Sequence, residues 1–97
     1  MLEQRRNKVI CSHTVIVKKR VIERNQQHYV EEEYQLELHP YEVRTPTETI
    51  RMEDVHDVSY RGLSETYGFL YLHTIKGVQT FMVREEPTTW INAYRQL

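Results

Sequence analysis

Residues 68–83, Gly-Phe-Leu-Tyr-Leu-His-Thr-Ile-Lys-Gly-Val-Gln-Thr-Phe-Met-Val, decide the fold of this chain. Two runs of strand-forming residues, Gly68–Thr74 and Val78–Val83, flank the tripeptide Ile75-Lys76-Gly77. Glycine readily adopts the positive φ that a tight hairpin turn requires, and β-branched and aromatic side chains favour strands. The stretch therefore predicts an antiparallel hairpin.

Upstream of this hairpin the chain is dense with Val, Ile, Thr and Tyr. Between His28 and Leu38 the apolar and aromatic side chains fall mostly on even positions, which favours a strand over a helix. We expect the basic run Lys18-Lys19-Arg20 to interrupt the first strand, and Glu23–Gln27 to form a loop. Five further strands are predicted: Val9–Val17, His28–Leu38, Tyr41–Thr45, Thr49–Met52 and Val55–Tyr60.

Downstream of the hairpin, Arg84-Glu85-Glu86-Pro87 ends the strands and begins a helix. Proline suits the first turn of a helix, and the two glutamates favour the positive end of the helix dipole. The remaining apolar side chains form a stripe at helical spacing, composed of Trp90, Ile91, Tyr94 and Leu97. A helix this short must dock on an apolar surface to be stable, and Trp90 is expected to plug one open end of the sheet.

These elements predict a mainly β protein: a bent, seven-stranded antiparallel barrel or sandwich, capped by one C-terminal helix over residues 87–97. The chain has 97 residues and one cysteine, and no apolar run approaches the roughly 18 residues of a membrane span. An internal disulfide is excluded. We expect one soluble, cytoplasmic domain over residues 1–97, with residues 1–7 disordered.

The net charge of −1 conceals an asymmetry along the chain. Residues 1–24 carry seven basic and two acidic side chains, whereas residues 25–97 carry six basic and twelve acidic ones. Such a split marks either a basic binding patch or a basic segment that lies beside the acidic run Glu31-Glu32-Glu33. A nucleic-acid partner is not expected, because the sequence pI is near 6.5.

Three segments resemble bacterial pleckstrin-homology-like (PH-like) domains. The step from Ile50 to Val58, the hairpin from Phe69 to Val83, and the tryptophan-bearing segment from Glu86 to Tyr94 all follow the pattern of that family. The resemblance extends over about residues 28–97. It implies a bent seven-stranded barrel capped by a helix, and it implies a binding module for proteins, peptides or phospholipid headgroups.

A narrower resemblance links Val58-Ser59-Tyr60-Arg61 and Tyr67–Thr74 to the PH-like proteins grouped with the sublancin immunity protein of Bacillus. Those immunity proteins are membrane-anchored. The resemblance implies that this chain is a soluble relative of bacteriocin-immunity proteins.

Two sets of residues are candidates for binding. Lys18, Lys19, Arg20 and Arg24 would grip an anionic headgroup if they converged on one site, because phosphate recognition needs several cationic donors together. Tyrosine is favoured at protein interfaces, although cross-strand packing explains it equally well. The tyrosines predicted to contact a protein partner or a second copy of the chain are Tyr29, Tyr41 and Tyr67.

No arrangement of residues in the sequence predicts catalysis. The five histidines are scattered without the spacing of a zinc site, and Cys11 is expected to act as a small buried hydrophobe. Neither a glycine-rich phosphate loop nor a nucleophile elbow is present. The sequence therefore predicts a non-catalytic binding module with no cofactor, no metal and no small-molecule substrate. The leading partner is a protein or a second copy, and the alternative is an anionic membrane surface.

Overall fold

A computed structural model describes residues 8–97, so the expectation for residues 1–7 lies outside the described part of the chain. All strand pairs are antiparallel, in the order β4-β3-β2-β1-β7-β6-β5. The elements are β1 (Cys11–Glu23), β2 (Gln26–Leu38), β3 (Glu42–Arg44), β4 (Thr49–Arg51), a 3₁₀ turn (Met52–Asp54), β5 (Val55–Gly62), β6 (Gly68–Thr74), β7 (Gly77–Val83) and α1 (Thr88–Arg95).

The predicted class is confirmed: the protein is mainly β, with one antiparallel seven-stranded sheet and one C-terminal helix. The sheet is not closed. Within residues 8–97, β1 and β7 share a single residue pair, Ile16↔Met82, and the terminal strands β4 and β5 do not pair with each other. A closed barrel, which the sequence analysis predicted, is therefore not confirmed.

The β6–β7 hairpin forms around the turn that its glycine predicted. The pair Thr74↔Gly77 closes the turn, and Gly77 has a φ of 117°. The Thr74 hydroxyl donates to the Gly77 carbonyl at 2.8 Å. At the other end of β6, a Cβ on Gly68 would lie 2.7 Å from the Arg61 carbonyl oxygen, so only glycine fits against β5 there.

In the first hairpin the observed boundaries of two elements differ from the predicted ones. β1 does not end at Val17 but continues through the basic run to Glu23, and only Arg24 and Asn25 separate it from β2. Both turn residues have positive φ, 51° and 66°, the left-handed conformation of a two-residue type I′ turn. The predicted loop over residues 23–27 is thus a tight turn between two long strands.

The core lies on the face of the sheet that the C-terminal helix covers, which we call the inner face. Trp90 is 1% exposed there, and its indole N–H donates to the Leu36 carbonyl at 2.9 Å. Its ring stacks on Tyr94 with 6.5 Å between ring centroids. The most deeply buried aliphatic partners are Val15, Leu36, Leu38, Val43, Val58, Leu70, Leu72 and Val83.

The C-terminal helix also covers the free edge of β5. The Tyr94 hydroxyl donates to the Val55 carbonyl at 3.4 Å, and the Arg95 guanidinium donates to the Val58 carbonyl at 3.3 Å. Side chains that occupy edge carbonyls block the pairing of another strand. Leu97, predicted to belong to the buried stripe, is 57% exposed because the helix ends at Arg95.

Nothing helical in residues 8–97 is long and apolar enough to pass through a bilayer.

Candidate functional site

The distal half of the β1–β2 hairpin, residues 17–33, projects beyond the core, and we call it the arm. Its side chains are exposed or half-buried throughout. An isolated two-stranded ribbon buries little apolar surface, so its sequence is free of the constraints of core packing. The arm carries all four of the basic residues that the sequence analysis singled out.

The structure does not bring those four basic residues to one site. Side chains alternate between the two faces of a strand, so Lys18 and Arg20 lie on the outer face and Lys19 lies on the inner face. Arg24 lies in the turn at the tip. The arm as a whole has four basic and four acidic side chains, so it carries no net charge.

The inner face of the arm holds an ion pair. Lys19 Nζ lies 2.9 Å from Glu32 Oε1, and the Tyr34 hydroxyl donates to the same oxygen at 2.6 Å. The tyrosine hydrogen bond, followed by that of Lys19, lowers the pKa of the Glu32 carboxyl, and the bond to Glu32 raises the pKa of Lys19. Lys19 is therefore already occupied by a carboxylate of its own chain.

A second ion pair ties the arm to the end of β7. Arg84 Nη2 donates to both carboxylate oxygens of Glu31, at 2.6 and 2.7 Å. In the register of the hairpin, Glu31 lies directly across from Lys18. The acidic run of β2 thus lies beside the basic run of β1, which is the internal arrangement that the charge asymmetry allowed.

Beyond the pair Ile16↔Met82, β1 and β7 separate, and we call the opening between them the slot. The pair Glu23↔Gln26 closes the two-residue turn, so alternate residues of β1 from Glu23 inward bond to β2. The residues between them, Lys18, Arg20 and Ile22, direct their N–H and C=O groups into the slot. In β7, Gly77 and every second residue after it bond to β6 in the same alternating pattern. The N–H and C=O groups of Val78 and Thr80 therefore point into the slot.

An open cleft of about 840 Å³ lies at the mouth of the slot. Phe81 and Met82 from β7 line it, together with Ile16 and Val17 from β1, and Phe69 packs edge-on against Tyr67 with 6.1 Å between ring centroids. Its charged lining consists of Lys18, Glu31 and Arg84. The cleft therefore combines an apolar lining with backbone groups that lack strand partners.

The three tyrosines predicted to form an interface lie apart from one another. Tyr67 lines the cleft. Tyr29 is 65% exposed on the arm, directly across from Arg20, and Tyr41 is 81% exposed between β2 and β3. Only Tyr67 belongs to the cleft.

Ser59, His73 and Cys11 carry the kinds of groups that nucleophilic chemistry uses, and the structure shows the surroundings of each. Ser59 Oγ and His73 Nε2 are 2.9 Å apart, but in residues 8–97 no carboxylate hydrogen-bonds to the other ring nitrogen of His73. Burial raises the pKa of the Cys11 thiol, which disfavours the reactive thiolate. No cluster of three or more metal-ligating side chains occurs in the described chain.

Ile22, Val78 and Thr80, which border the slot, are not among the binding residues predicted from the sequence. Two of them, Ile22 and Val78, are large apolar side chains that are 64% and 57% exposed. The position of Val78 in a strand was visible in the sequence, whereas Ile22 lies beyond the predicted end of the first strand. The separation of β1 from β7 was not visible, because it depends on distant residues.

Comparisons of the chain with models of protein families, with curated proteins and with solved structures find no match in any of the three.

Proposed function

We propose that this chain is a non-catalytic protein-binding module of the PH-like class, and that the slot and its cleft are the binding site. The observation that carries the proposal is the pair of unpaired strand segments that face each other across the slot, Val17–Glu23 of β1 and Val78–Phe81 of β7. Unpaired edges of this kind are templates for another polypeptide.

The PH-like assignment rests on the sequence resemblance together with the architecture. What supports it is a sheet of seven consecutive antiparallel strands followed by one helix, which carries a buried tryptophan, Trp90. Because a fold does not by itself define a ligand, the binding partner is argued from the slot instead.

A polypeptide ligand fits the chemistry of the site better than a phospholipid headgroup does. Headgroup binding requires cations that converge, whereas Lys19 is paired with Glu32 and lies on the opposite face from Lys18 and Arg20. The apolar lining and free backbone groups of the cleft match the side chains and backbone of an extended peptide.

The experiment uses the purified chain with three probes in parallel: a displayed library of random dodecapeptides, vesicles of phosphatidylglycerol and phosphatidylcholine, and the protein itself in analytical ultracentrifugation. We expect the library to yield binding peptides that shift the amide resonances of Lys18, Arg20 and Thr80 in NMR spectra. The proposal is wrong if no peptide binds, or if the shifted amides lie away from the slot. Sedimentation with vesicles in the absence of peptide binding would favour the membrane alternative.

A further inference from the structure

The free edge of β1 is long enough to hold a strand of ordinary length. From Lys18 to Ile22 the edge presents three N–H and three C=O groups, spaced over about 13 Å of extended chain. Strand addition derives its affinity from these main-chain hydrogen bonds and its specificity from alternate side chains.

The side chains along that edge differ between the two faces. On the outer face Lys18 and Arg20 are exposed cations, and neither makes a salt bridge within residues 8–97. On the inner face Val17 and Val21 flank Lys19, whose ammonium group is bound to Glu32. A strand added here would place alternate side chains beside two cations and the remaining ones beside apolar groups.

A second copy of the chain does not match this edge. The register that pairs Lys18–Ile22 with itself about a two-fold axis sets Arg20 opposite Arg20. A shift toward the core sets Lys18 opposite Arg20, and a shift toward the tip sets Lys18 opposite Arg24. Like charges directly across from each other destabilise a strand pair.

Head-to-tail stacking of arms is also excluded. In such a stack the β1 edge of one arm would pair with the β2 edge of the next, so successive two-stranded arms would lie ~10 Å apart. The shortest dimension of the molecule is 24 Å, so the bodies that carry the arms would collide.

We infer that the slot binds an extended segment of another protein, antiparallel to β1, in which acidic residues alternate with apolar ones. The acidic side chains lie beside Lys18 and Arg20, and the apolar ones face Val17, Val21 and the lining of the cleft. This inference rests on the proposed function and specifies its ligand.

The test uses a fluorescein-labelled octapeptide with glutamate and valine in alternation, and its partner with lysine in place of glutamate. Binding is measured by fluorescence anisotropy. We expect the glutamate peptide to bind and the lysine peptide to bind far more weakly. Binding of both peptides with equal affinity would overturn the inference.

Backbone pairing is tested on the unaltered protein with two N-methylated forms of the glutamate peptide. In an antiparallel pair, residues directly opposite each other lie on the same face and exchange hydrogen bonds, so the glutamate amides pair with Lys18, Arg20 and Ile22. We expect N-methylation of the glutamates to abolish binding and N-methylation of the valines, whose amides point toward β7, to weaken it far less. The reverse pattern, or no difference between the two forms, would overturn the antiparallel pairing.

Charge recognition is tested with the double variant Lys18→Glu, Arg20→Glu and the matched double control Arg61→Glu, Lys76→Glu, which reverses two exposed cations in β5 and the β6–β7 turn. Opposite-charge cross-strand pairs contribute enough that reversing two of them predicts about a tenfold loss of affinity for the glutamate peptide. We expect the control to bind like the unaltered protein. Equal loss in both variants would show a general charge effect and overturn the inference.

Failure of this inference is distinguishable from failure of the proposed function. Library peptides that map to the slot but lack the acidic and apolar alternation would overturn the inference and leave the binding module intact. If neither the library nor the octapeptide binds, both proposals are wrong. A homodimer that dissociates when Lys18 and Arg20 are reversed would assign the edge to a second copy instead.

Discussion

Replacing Trp90 by alanine removes the largest side chain of the core. The ring is 1% exposed, stacks on Tyr94 and donates to the Leu36 carbonyl. Truncation of a buried tryptophan costs about 3–5 kcal/mol, because transfer energy is lost and a cavity remains. The lost hydrogen bond adds about 1 kcal/mol.

That cost is large compared with the stability of a chain of this length. A domain of this size has a free energy of unfolding of roughly 5–15 kcal/mol. Each kcal/mol corresponds to roughly 4–8 °C in Tm for domains of this size, so a loss of about 4–6 kcal/mol in Trp90→Ala should lower Tm by roughly 16–48 °C.

Urea unfolding followed by far-ultraviolet circular dichroism measures the loss without relying on the fluorescence of the removed indole. Trp90→Phe retains most of the apolar area and should lose only about 1 kcal/mol with the hydrogen bond. Tyr41→Ala, at an exposed position, should stay within about 0.5 kcal/mol of the unaltered protein. A loss below about 1 kcal/mol for Trp90→Ala would refute the claim that this side chain holds the helix on the sheet.

Three further outcomes are expected. Gly68→Ala should destabilise the protein by about 1–3 kcal/mol in urea unfolding, since its Cβ would meet backbone of β5; an unchanged midpoint would contradict the close approach. Tyr34→Phe should raise the lowered pKa of Glu32 in a ¹³C NMR titration, and no change would show that the phenol is not its main partner. Because the folded-state pKa of Glu32 is lowered, its contribution to stability is present above the unfolded pKa and is lost as the pH falls through the folded one. The double variant Arg24→Asn, Asn25→Gly suits the positive φ of the turn and should slow hydrogen exchange of arm amides; unchanged exchange rates would argue against strain in the native turn.

The elements that the sequence predicted well are those defined by neighbouring residues. Gly77 and the β-branched residues around it specify the last hairpin locally, so its strands agree with the structure to within a residue. The end of β1 was wrong for the opposite reason. Lys18-Lys19-Arg20 has weak strand propensity alone, but in the folded hairpin Lys18 lies across from Glu31 and Lys19 forms a salt bridge with Glu32, and neither pairing follows from the basic run itself.

The candidate site was less predictable than the fold. The exposed charges of the arm were visible, but whether they converge depends on strand alternation and on the ion pair between Lys19 and Glu32. The slot exists because β1 and β7 meet only at Ile16↔Met82. Strands β1 and β7 are far apart in the sequence, so no local pattern of residues encodes where they separate.

The projecting arm also changes how large the molecule looks in solution. The radius of gyration is 15.3 Å, whereas a compact chain of this length would have about 12 Å. A value of 15.3 Å belongs to a compact protein of roughly 165 residues. In gel filtration the monomer would therefore elute ahead of compact proteins of its mass, toward the position of a dimer, and sedimentation equilibrium, which reports mass rather than shape, would return a single chain.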